Sequence, residues 1–182
     1  LNMNEVVILD LDGVIIKGQS QKLFLSYLFR KKIVGLFFYS KICIWFILHK
    51  LGFVKNPRKI MDYAFSFLNN RKTEEVEKIV ENFFGEVLYK FIFPEIIDII
   101  NEHKAKGREL LMVSNTTDIL VKGIANFLDI KNYISTRLEI IDERFTGKIS
   151  GDIVYGKNKV GFIKEFTEKN NLNLDISYAY AD

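Results

Sequence analysis

Cysteine and histidine are nearly absent from this chain of 182 residues, which limits both its redox chemistry and its metal sites. The single cysteine, Cys43, cannot form an internal disulfide, and this is typical of a protein from a reducing compartment. The two histidines, His49 and His103, are isolated in the sequence. The composition therefore excludes a soft-metal cluster of the zinc-binding type.

A strong net charge is also missing. The formal charge of +3 is too small to indicate a nucleic-acid-binding protein. The first residues, "LNMNEVV", lack the basic and then apolar arrangement of a secretory leader, so we expect a cytoplasmic protein. With 48% apolar and 27% charged residues, the composition is that of a globular chain and excludes wholesale disorder.

Short apolar runs alternate with helical patterns over much of the chain. The runs are the first half of "VVILDLDGVI" (6–15), "RELLMVSN" (108–115) and "DISYAYAD" (175–182). Helical periodicity lies between or beside them, at 94–107, 117–130 and 159–171. This alternation predicts an α/β fold with a parallel sheet and helices on both faces. Residues 138–156 are β-rich and separated by turn residues, which predicts a small antiparallel excursion.

A long stretch without β signal interrupts this pattern. It is dense in apolar residues at 20–51, and two amphipathic segments follow, which begin near Pro57 and at Thr73. We therefore predict an all-helical cap over residues 17–91, inserted into an α/β core formed by residues 1–16 and 92–182.

Groups that can do chemistry stand where the predicted strands end. In open parallel sheets, ligands bind beyond the carboxyl ends of the strands. The first run ends in two carboxylates, the second in a hydroxyl and an amide, and the third in a carboxylate: Asp10 and Asp12, Ser114 and Asn115, and Asp182. We expect these groups to share one site.

The two aspartates of the first run need a compensating charge. Residues two apart on an extended chain point to the same side, so Asp10 and Asp12 can face one ligand, and Gly13 lets the chain turn away. Buried acids without a cation are costly, which predicts a metal ion or a lysine nearby. Lys159 is the expected partner, and Lys157 is the alternative that the spacing from "YG" favours less.

Four segments carry a resemblance to a known family. "DLDGV" (10–14), "LLMVSNTT" (110–117), "TGKISGDIVYGKNK" (146–159) and "SYAYAD" (177–182) resemble, in order, the motifs of haloacid-dehalogenase-type phosphatases. The resemblance is closest to the branch with phosphoserine phosphatases, which has a helical cap between the first two motifs. It implies a Rossmann-like core. In this family the pattern continues beyond the position of Asp182, so we expect a further acid and a further strand outside this sequence.

The resemblance also implies roles for individual residues in a phosphomonoester hydrolase. Asp10 matches the nucleophile that becomes a phosphoaspartate, and Asp12 matches the general acid. Ser114, the main-chain N–H of Asn115 and Lys159 match the groups that bind the phosphoryl group.

A Mg²⁺ ion is implied as the cofactor. Its ligands would be the Asp10 carboxylate, the main-chain oxygen of Asp12, and Asp182.

The substrate and even turnover are left open by the sequence. Gln19 stands where phosphoserine phosphatases have a glutamate that holds the substrate ammonium, which makes phosphoserine less favoured. Residues 30–53 are strongly apolar with basic flanks, but too interrupted for a membrane span. One alternative is therefore a membrane-associated lipid-phosphate phosphatase, in which residues 30–53 touch the membrane peripherally. Another is a non-catalytic protein of the same fold that binds a phosphate ligand.

Overall fold

A five-stranded sheet organises the chain. The structure is a computed structural model that describes residues 4–53 and 57–181. Its sheet has the order β4-β3-β2-β1-β5, in which β1 is central and pairs in parallel with β2 and β5. β3 is parallel to β2, and β4 is an antiparallel edge strand. The strands are β1 (Asn4–Asp10), β2 (Glu109–Thr117), β3 (Asn132–Ile141), β4 (Arg144–Ser150) and β5 (Leu172–Tyr180).

Helices connect the strands where the periodicity predicts them. Between β1 and β2 the chain is helical, as predicted, and two short 3₁₀ turns follow the third and fourth helices. The predicted starts at the proline and threonine of the amphipathic segments are confirmed. The helices are α1 (Ser20–Arg30), α2 (Leu36–Lys50), α3 (Pro57–Phe65), α4 (Thr73–Glu86), α5 (Pro94–Ala105), α6 (Asp118–Phe127) and α7 (Lys157–Lys169).

Both faces of the sheet are covered, which confirms the predicted α/β layering. Alternate residues of the central strands point to opposite faces, as the pleat requires. On one face Leu9 and Met112 are fully buried in the larger core, which α5 and α6 complete. On the other face Val6 and Val113 are fully buried in a smaller cluster that Phe166 of α7 covers.

The antiparallel excursion differs from its prediction at its start. The prediction begins at residue 138, whereas β3 begins at Asn132 and first pairs in parallel with β2. Only its second half forms the hairpin with β4. The first half was missed because Tyr133 is exposed and Ile134 half-buried, so that "NYIST" lacks the apolar run of an interior strand.

The helical segment between β1 and β2 leaves and rejoins the sheet at one place. The N–H of Lys17 donates to the oxygen of Phe91 (2.7 Å), and the N–H of Phe93 donates to the oxygen of Ile15 (3.0 Å). The two connections between the sheet and the helical segment, at residues 15–17 and 91–93, therefore run side by side. The division into a core of residues 1–16 and 92–182 and a cap of residues 17–91 stays a prediction.

The β3–β4 hairpin contacts the helical segment through the main chain. The N–H of Asn70 donates to the oxygen of Phe145 (2.8 Å), whose own N–H donates to the oxygen of Arg71 (2.9 Å). Gly147 lies against the turn after α3, and a Cβ at this position would lie 3.0 Å from the Cα of Ser66. Since its φ is also +77°, only glycine fits this close approach without strain.

α2 differs from the other helices in its apolar surface. It is apolar around most of its circumference, yet only Ile42 is buried. Among the described residues, no helix combines the length and the apolar character needed to cross a lipid bilayer.

A buried histidine joins α5 to β5. His103 is 4% exposed; its Nδ1 lies 3.0 Å from Nη1 of Arg108, and its Nε2 lies 3.0 Å from the hydroxyl of Tyr180. A guanidinium can only donate, so Nδ1 accepts and the proton of the neutral ring lies on Nε2. Burial lowers the pKa of His103, and the positive charge of Arg108 lowers it further. The fold therefore holds this ring neutral.

This histidine predicts a loss of stability in mild acid. The unfolded chain takes up a proton near the ordinary pKa of 6.5, whereas the folded chain does so only at a lower pH. The free energy of unfolding should therefore fall as the pH drops below that value, and level off below the lowered pKa. Urea unfolding of the wild type and of His103→Gln should show a stability difference that shrinks with decreasing pH. A difference that is constant with pH would contradict this.

Candidate active site

Asp10 lies at the carboxyl end of the central strand. Its partner across the β1–β2 ladder is Val113, so that Ser114 follows directly beside it. On the other side, Leu9 pairs with Tyr180 near the end of β5. The ends of three parallel strands therefore meet at one edge, as the sequence predicts for the site. Asp182, the predicted metal ligand after β5, lies outside the described residues.

Lys159 forms an ion pair with Asp10. Its Nζ lies 2.5 Å from Oδ2 of Asp10, and Oδ1 accepts the N–H of Leu11 at 2.7 Å. Lys159 stands in the first turn of α7, where a cation opposes the helix dipole, so helix stability does not explain its position. The pairing with Asp10 does. The alternative, Lys157, begins the same helix and is exposed.

Asp12 is held by two elements at once. Its Oδ1 accepts the N–H of Ser20 at the start of α1 (2.7 Å), and its Oδ2 accepts the hydroxyl of Thr116 at the end of β2 (3.1 Å). Burial raises the pKa of Asp12; the hydrogen bonds from Ser20 and Thr116 oppose this rise, and the charge of Asp10 adds to it. A carboxyl group with a raised pKa keeps its proton at higher pH, which suits a general acid.

Ser114 and Asn115 differ in exposure. Ser114 is 1% exposed, and its Oγ accepts the N–H of Thr116 at 3.1 Å. A hydroxyl that accepts one hydrogen bond still has its own proton to donate. Asn115 is exposed, and its main-chain oxygen lies 3.5 Å from Nε2 of Gln21.

Thr116 and Ser20 are site residues that sequence reasoning missed. Both are fully buried, and their hydroxyl oxygens lie 3.0 Å apart beside Asp12. The next residue, Thr117, occupies the N-cap position of α6 but makes no side-chain capping bond. The signal for Thr116 was its place two residues after Ser114 on a strand, where both side chains point to the same face.

The neighbouring threonines allow a matched test of this network. Thr116→Val removes the hydroxyl that Asp12 and Ser20 contact, and we expect turnover to fall by about tenfold and stability by about 1–3 kcal/mol. Thr117 is equally buried, but its Oγ1 has no hydrogen-bond partner among the described residues. Thr117→Val should therefore leave turnover unchanged and stability equal or slightly higher. Urea unfolding and steady-state rates measure both; equal effects of the two changes would contradict the assignment.

An apolar recess adjoins the site through Gln21. The Gln21 Nε2 is 3.5 Å from Oγ1 of Thr116, and the same side chain lines a small cavity whose other walls are apolar. Those walls are Phe24, Leu25, Leu28, Ile42, Phe46, Ala64, Phe65 and Phe67. A larger cavity of about 340 Å³ lies between α4 and α6 and does not include Asp10 or Asp12. The recess near Gln21 is the one beside the predicted chemistry.

Only some of the oxygen donors that could hold a hard metal ion at this edge belong to side chains. In the described part of the chain, no group of three or more His, Cys, Asp or Glu side chains could hold a metal. Both carboxylate oxygens of Asp12 are already bonded to α1 and β2, which leaves its main-chain oxygen as the ligand that the resemblance implies. The Asp10 carboxylate is the other donor within the described residues, and oxygen donors of this kind suit Mg²⁺.

Comparison with known proteins adds relatives by sequence. The chain is similar to the probable phosphatase Rv3661 of Mycobacterium tuberculosis (strain ATCC 25618 / H37Rv), with 30% identity over 108 residues, or 59% of this chain and 37% of that protein. The chain spans about two fifths of the length of the first curated relatives that it matches.

Two solved structures share the fold. One is a protein with unknown function from Bordetella pertussis Tohama I, with a TM-score of 0.88 at 20% identity. The match covers 100% of this chain and 83% of the Bordetella chain. A phosphoserine phosphatase with an analogue of its phospho-aspartyl intermediate has a TM-score of 0.67 at 19% identity, with 98% of this chain and 78% of that chain covered.

A family model completes the comparison. The model described as haloacid dehalogenase-like hydrolase matches residues 7–182, which include every predicted site residue. The family that the four motifs suggested is therefore confirmed, and the chain belongs to the haloacid dehalogenase-like hydrolases.

Proposed function

We propose that the protein is a Mg²⁺-dependent phosphomonoester hydrolase that works through a phosphoaspartyl intermediate on Asp10. The observation that carries the proposal is the ion pair between Asp10 and Lys159 at the edge where Ser114 also lies. A relative by sequence is named a probable phosphatase, and a relative by fold is a phosphoserine phosphatase.

The nucleophile must approach an anion. A carboxylate and a phosphoryl group repel each other unless positive charge lies between them. The ammonium of Lys159, which contacts Asp10, would supply part of that charge. In the first step an oxygen of Asp10 attacks phosphorus, and the bond from phosphorus to the leaving oxygen breaks. Ser114 and the N–H of Asn115 donate to the phosphoryl oxygens.

Asp12 handles the protons. Its carboxyl group gives a proton to the departing alkoxide in the first step. In the second step its carboxylate takes a proton from the water that attacks the phosphoaspartate, which releases phosphate and restores Asp10. The raised pKa of Asp12 and its fixed position between α1 and β2 support both roles.

The metal ion would be held by Asp10, the main-chain oxygen of Asp12, and Asp182. When bound, it supplies positive charge that polarises a phosphoryl oxygen. Residues 17–91 form the cap in this proposal, and the cytoplasm is the proposed location.

A second candidate for the substrate is an amphiphilic phosphomonoester, such as a lipid phosphate, because α2 exposes large apolar side chains, Phe37 and Ile44 among them. The cavity beside Gln21 has a volume of about 30 Å³, which is room for one water molecule and not for an acyl chain. Gln19, at the N-cap position of α1, is exposed and uncharged, so it pairs weakly with a substrate ammonium. The first candidate for the substrate is a small polar phosphomonoester.

Phosphate release by the full chain tests the proposal. p-Nitrophenyl phosphate, phosphoserine and a short-chain phosphatidic acid are incubated with Mg²⁺ and with EDTA. We expect release only with Mg²⁺, and the rate for each substrate ranks the two candidates. Binding of a phosphate analogue such as beryllofluoride without any release of phosphate would instead favour a non-catalytic phosphate-binding protein.

A further inference from the structure

One face of α2 leaves large apolar side chains in solvent. Phe37 is 78% exposed, Ile44 55%, Ile47 59% and Leu51 64%. At 100° per residue, these positions lie within one quarter of the helix circumference. We call them the α2 outer face. A contiguous exposed apolar stripe of this kind is unusual for a protein surface that contacts only water.

The opposite face of α2 is already packed against the rest of the protein. Ile42 is 1% exposed, and Phe38 and Trp45 contact the ring of Tyr63 in α3 at centroid distances of 5.2 and 5.0 Å. Rotation of the helix therefore cannot bury the α2 outer face, because it would expose these contacts. Within the described part of the chain, no other element covers it.

The sequence segment that contains this face carries charge of a single sign. Ten of the 26 lysine and arginine residues, and none of the 23 aspartate and glutamate residues, lie between positions 13 and 61. Arg30 and Lys32 are exposed just before α2, and Lys50 is exposed at its end. Lys31 is also exposed, and its ammonium pairs with Glu86 of α4 at 2.8 Å. Positive charge thus stands at both ends of the apolar stripe.

This pattern argues against a second copy of the chain as the partner. In a two-fold contact the same surface meets itself, so antiparallel α2 helices would bring Arg30 and Lys32 of one copy near Lys50 of the other. Like charges without acidic partners oppose such a contact. An anionic surface is attracted by the same residues.

We infer that the α2 outer face inserts into the interfacial region of an anionic lipid bilayer. α2 has 15 residues and is too short to span a membrane, so it lies in the plane of the interface. The apolar side chains enter the headgroup and acyl boundary, while the flanking lysine and arginine side chains contact lipid phosphates. The inference is independent of the proposed hydrolase activity.

Co-sedimentation of the full chain with vesicles tests the inference. We expect binding at low salt to vesicles of phosphatidylcholine mixed with phosphatidylglycerol, weak binding to phosphatidylcholine alone, and release at high salt. Asp10→Asn should bind equally well, which separates this result from the fate of the proposed activity. Failure to bind anionic vesicles at low salt, or equal binding to both vesicle types, overturns the inference.

Matched variants locate the contact. Ile47→Ser should weaken binding by about tenfold, whereas Ile141→Ser, with a similar exposure of 56% on the β3–β4 hairpin, should not change it. Arg30→Gln with Lys50→Gln should weaken binding by about fivefold per removed charge. Equal effects of the two isoleucine changes would overturn the assignment to α2. So would a concentration-dependent dimer in sedimentation velocity that Ile47→Ser dissociates, because a second copy would then cover the face.

Discussion

Asp10→Asn will reduce the turnover of phosphomonoesters by about 10⁴-fold or more, the range seen when a catalytic nucleophile is removed. The amide is nearly the same size as the carboxylate, so it fits the position at the end of β1. It has no negative oxygen that can attack phosphorus. The phosphorus–oxygen bond to the leaving group then has no route to cleavage through the enzyme, and the slow reaction with water remains.

The loss in Asp10→Asn should lie in the chemical step and not in folding. Asp10 is partly exposed, and the amide oxygen of the variant can accept from only one of its two donors, the N–H of Leu11 or the ammonium of Lys159, because these bond different carboxylate oxygens. Circular dichroism should therefore resemble the wild type, and urea unfolding should show a loss of about 1–3 kcal/mol at most. Binding of inorganic phosphate should persist, because Ser114 and Lys159 are retained.

A same-type change elsewhere controls for this prediction. Asp142 is exposed in the β3–β4 turn with a φ of 48°, a conformation that asparagine tolerates well. Asp142→Asn should keep full activity. If Asp10→Asn retained more than a small fraction of wild-type turnover, the covalent route through Asp10 would be wrong and a water-mediated mechanism would replace it.

The sequence predicts the fold because its signals are local. The apolar runs before Asp10 and Ser114 are interior strands with no competing interpretation. In the inserted segment, α3 and α4 carry proline and threonine at their starts. The start of β3 was not predictable in the same way. Its first residues form a strand because β2 offers an open edge, which is a tertiary cause that leaves little trace in local sequence.

The site, too, contains residues that the sequence predicts and residues that it does not. Asp10, Asp12 and Lys159 are charged groups beside apolar runs, and such residues stand out in a sequence because burial without a partner is costly. Thr116 and Ser20 are neutral, small and common, and their importance arises only from the 3.0 Å contact between residues 96 positions apart. Long-range pairing of this kind is visible only in the folded chain.

Asp12→Asn should separate substrates by their leaving groups. An alkyl phosphomonoester has a leaving alkoxide that needs a proton, so its turnover should fall by about 10²–10⁴-fold. p-Nitrophenolate leaves at neutral pH without a proton, so the first step with p-nitrophenyl phosphate should stay fast. The second step should still be slow, since the same carboxylate takes the proton from the attacking water.

Asp12→Asn should therefore show a burst of leaving-group release with p-nitrophenyl phosphate and none with an alkyl phosphomonoester. With p-nitrophenyl phosphate, rapid mixing should release about one p-nitrophenolate per enzyme and then continue slowly, because the phosphoaspartate accumulates. With an alkyl phosphomonoester no burst should occur, since the first step is itself slow. Acid quenching should trap labelled phosphate on the protein in the first case only.

The positioning role of Asp12 can be distinguished from its proton transfer, because asparagine preserves the contacts. Its amide oxygen can accept the N–H of Ser20, as asparagine does well at helix starts, and its NH₂ can donate to the hydroxyl of Thr116. The start of α1 and the end of β2 should stay in place, which urea unfolding can verify. An equal loss with both substrates and no burst would then mean that Asp12 only positions the site, and proton transfer would have to be assigned to another group.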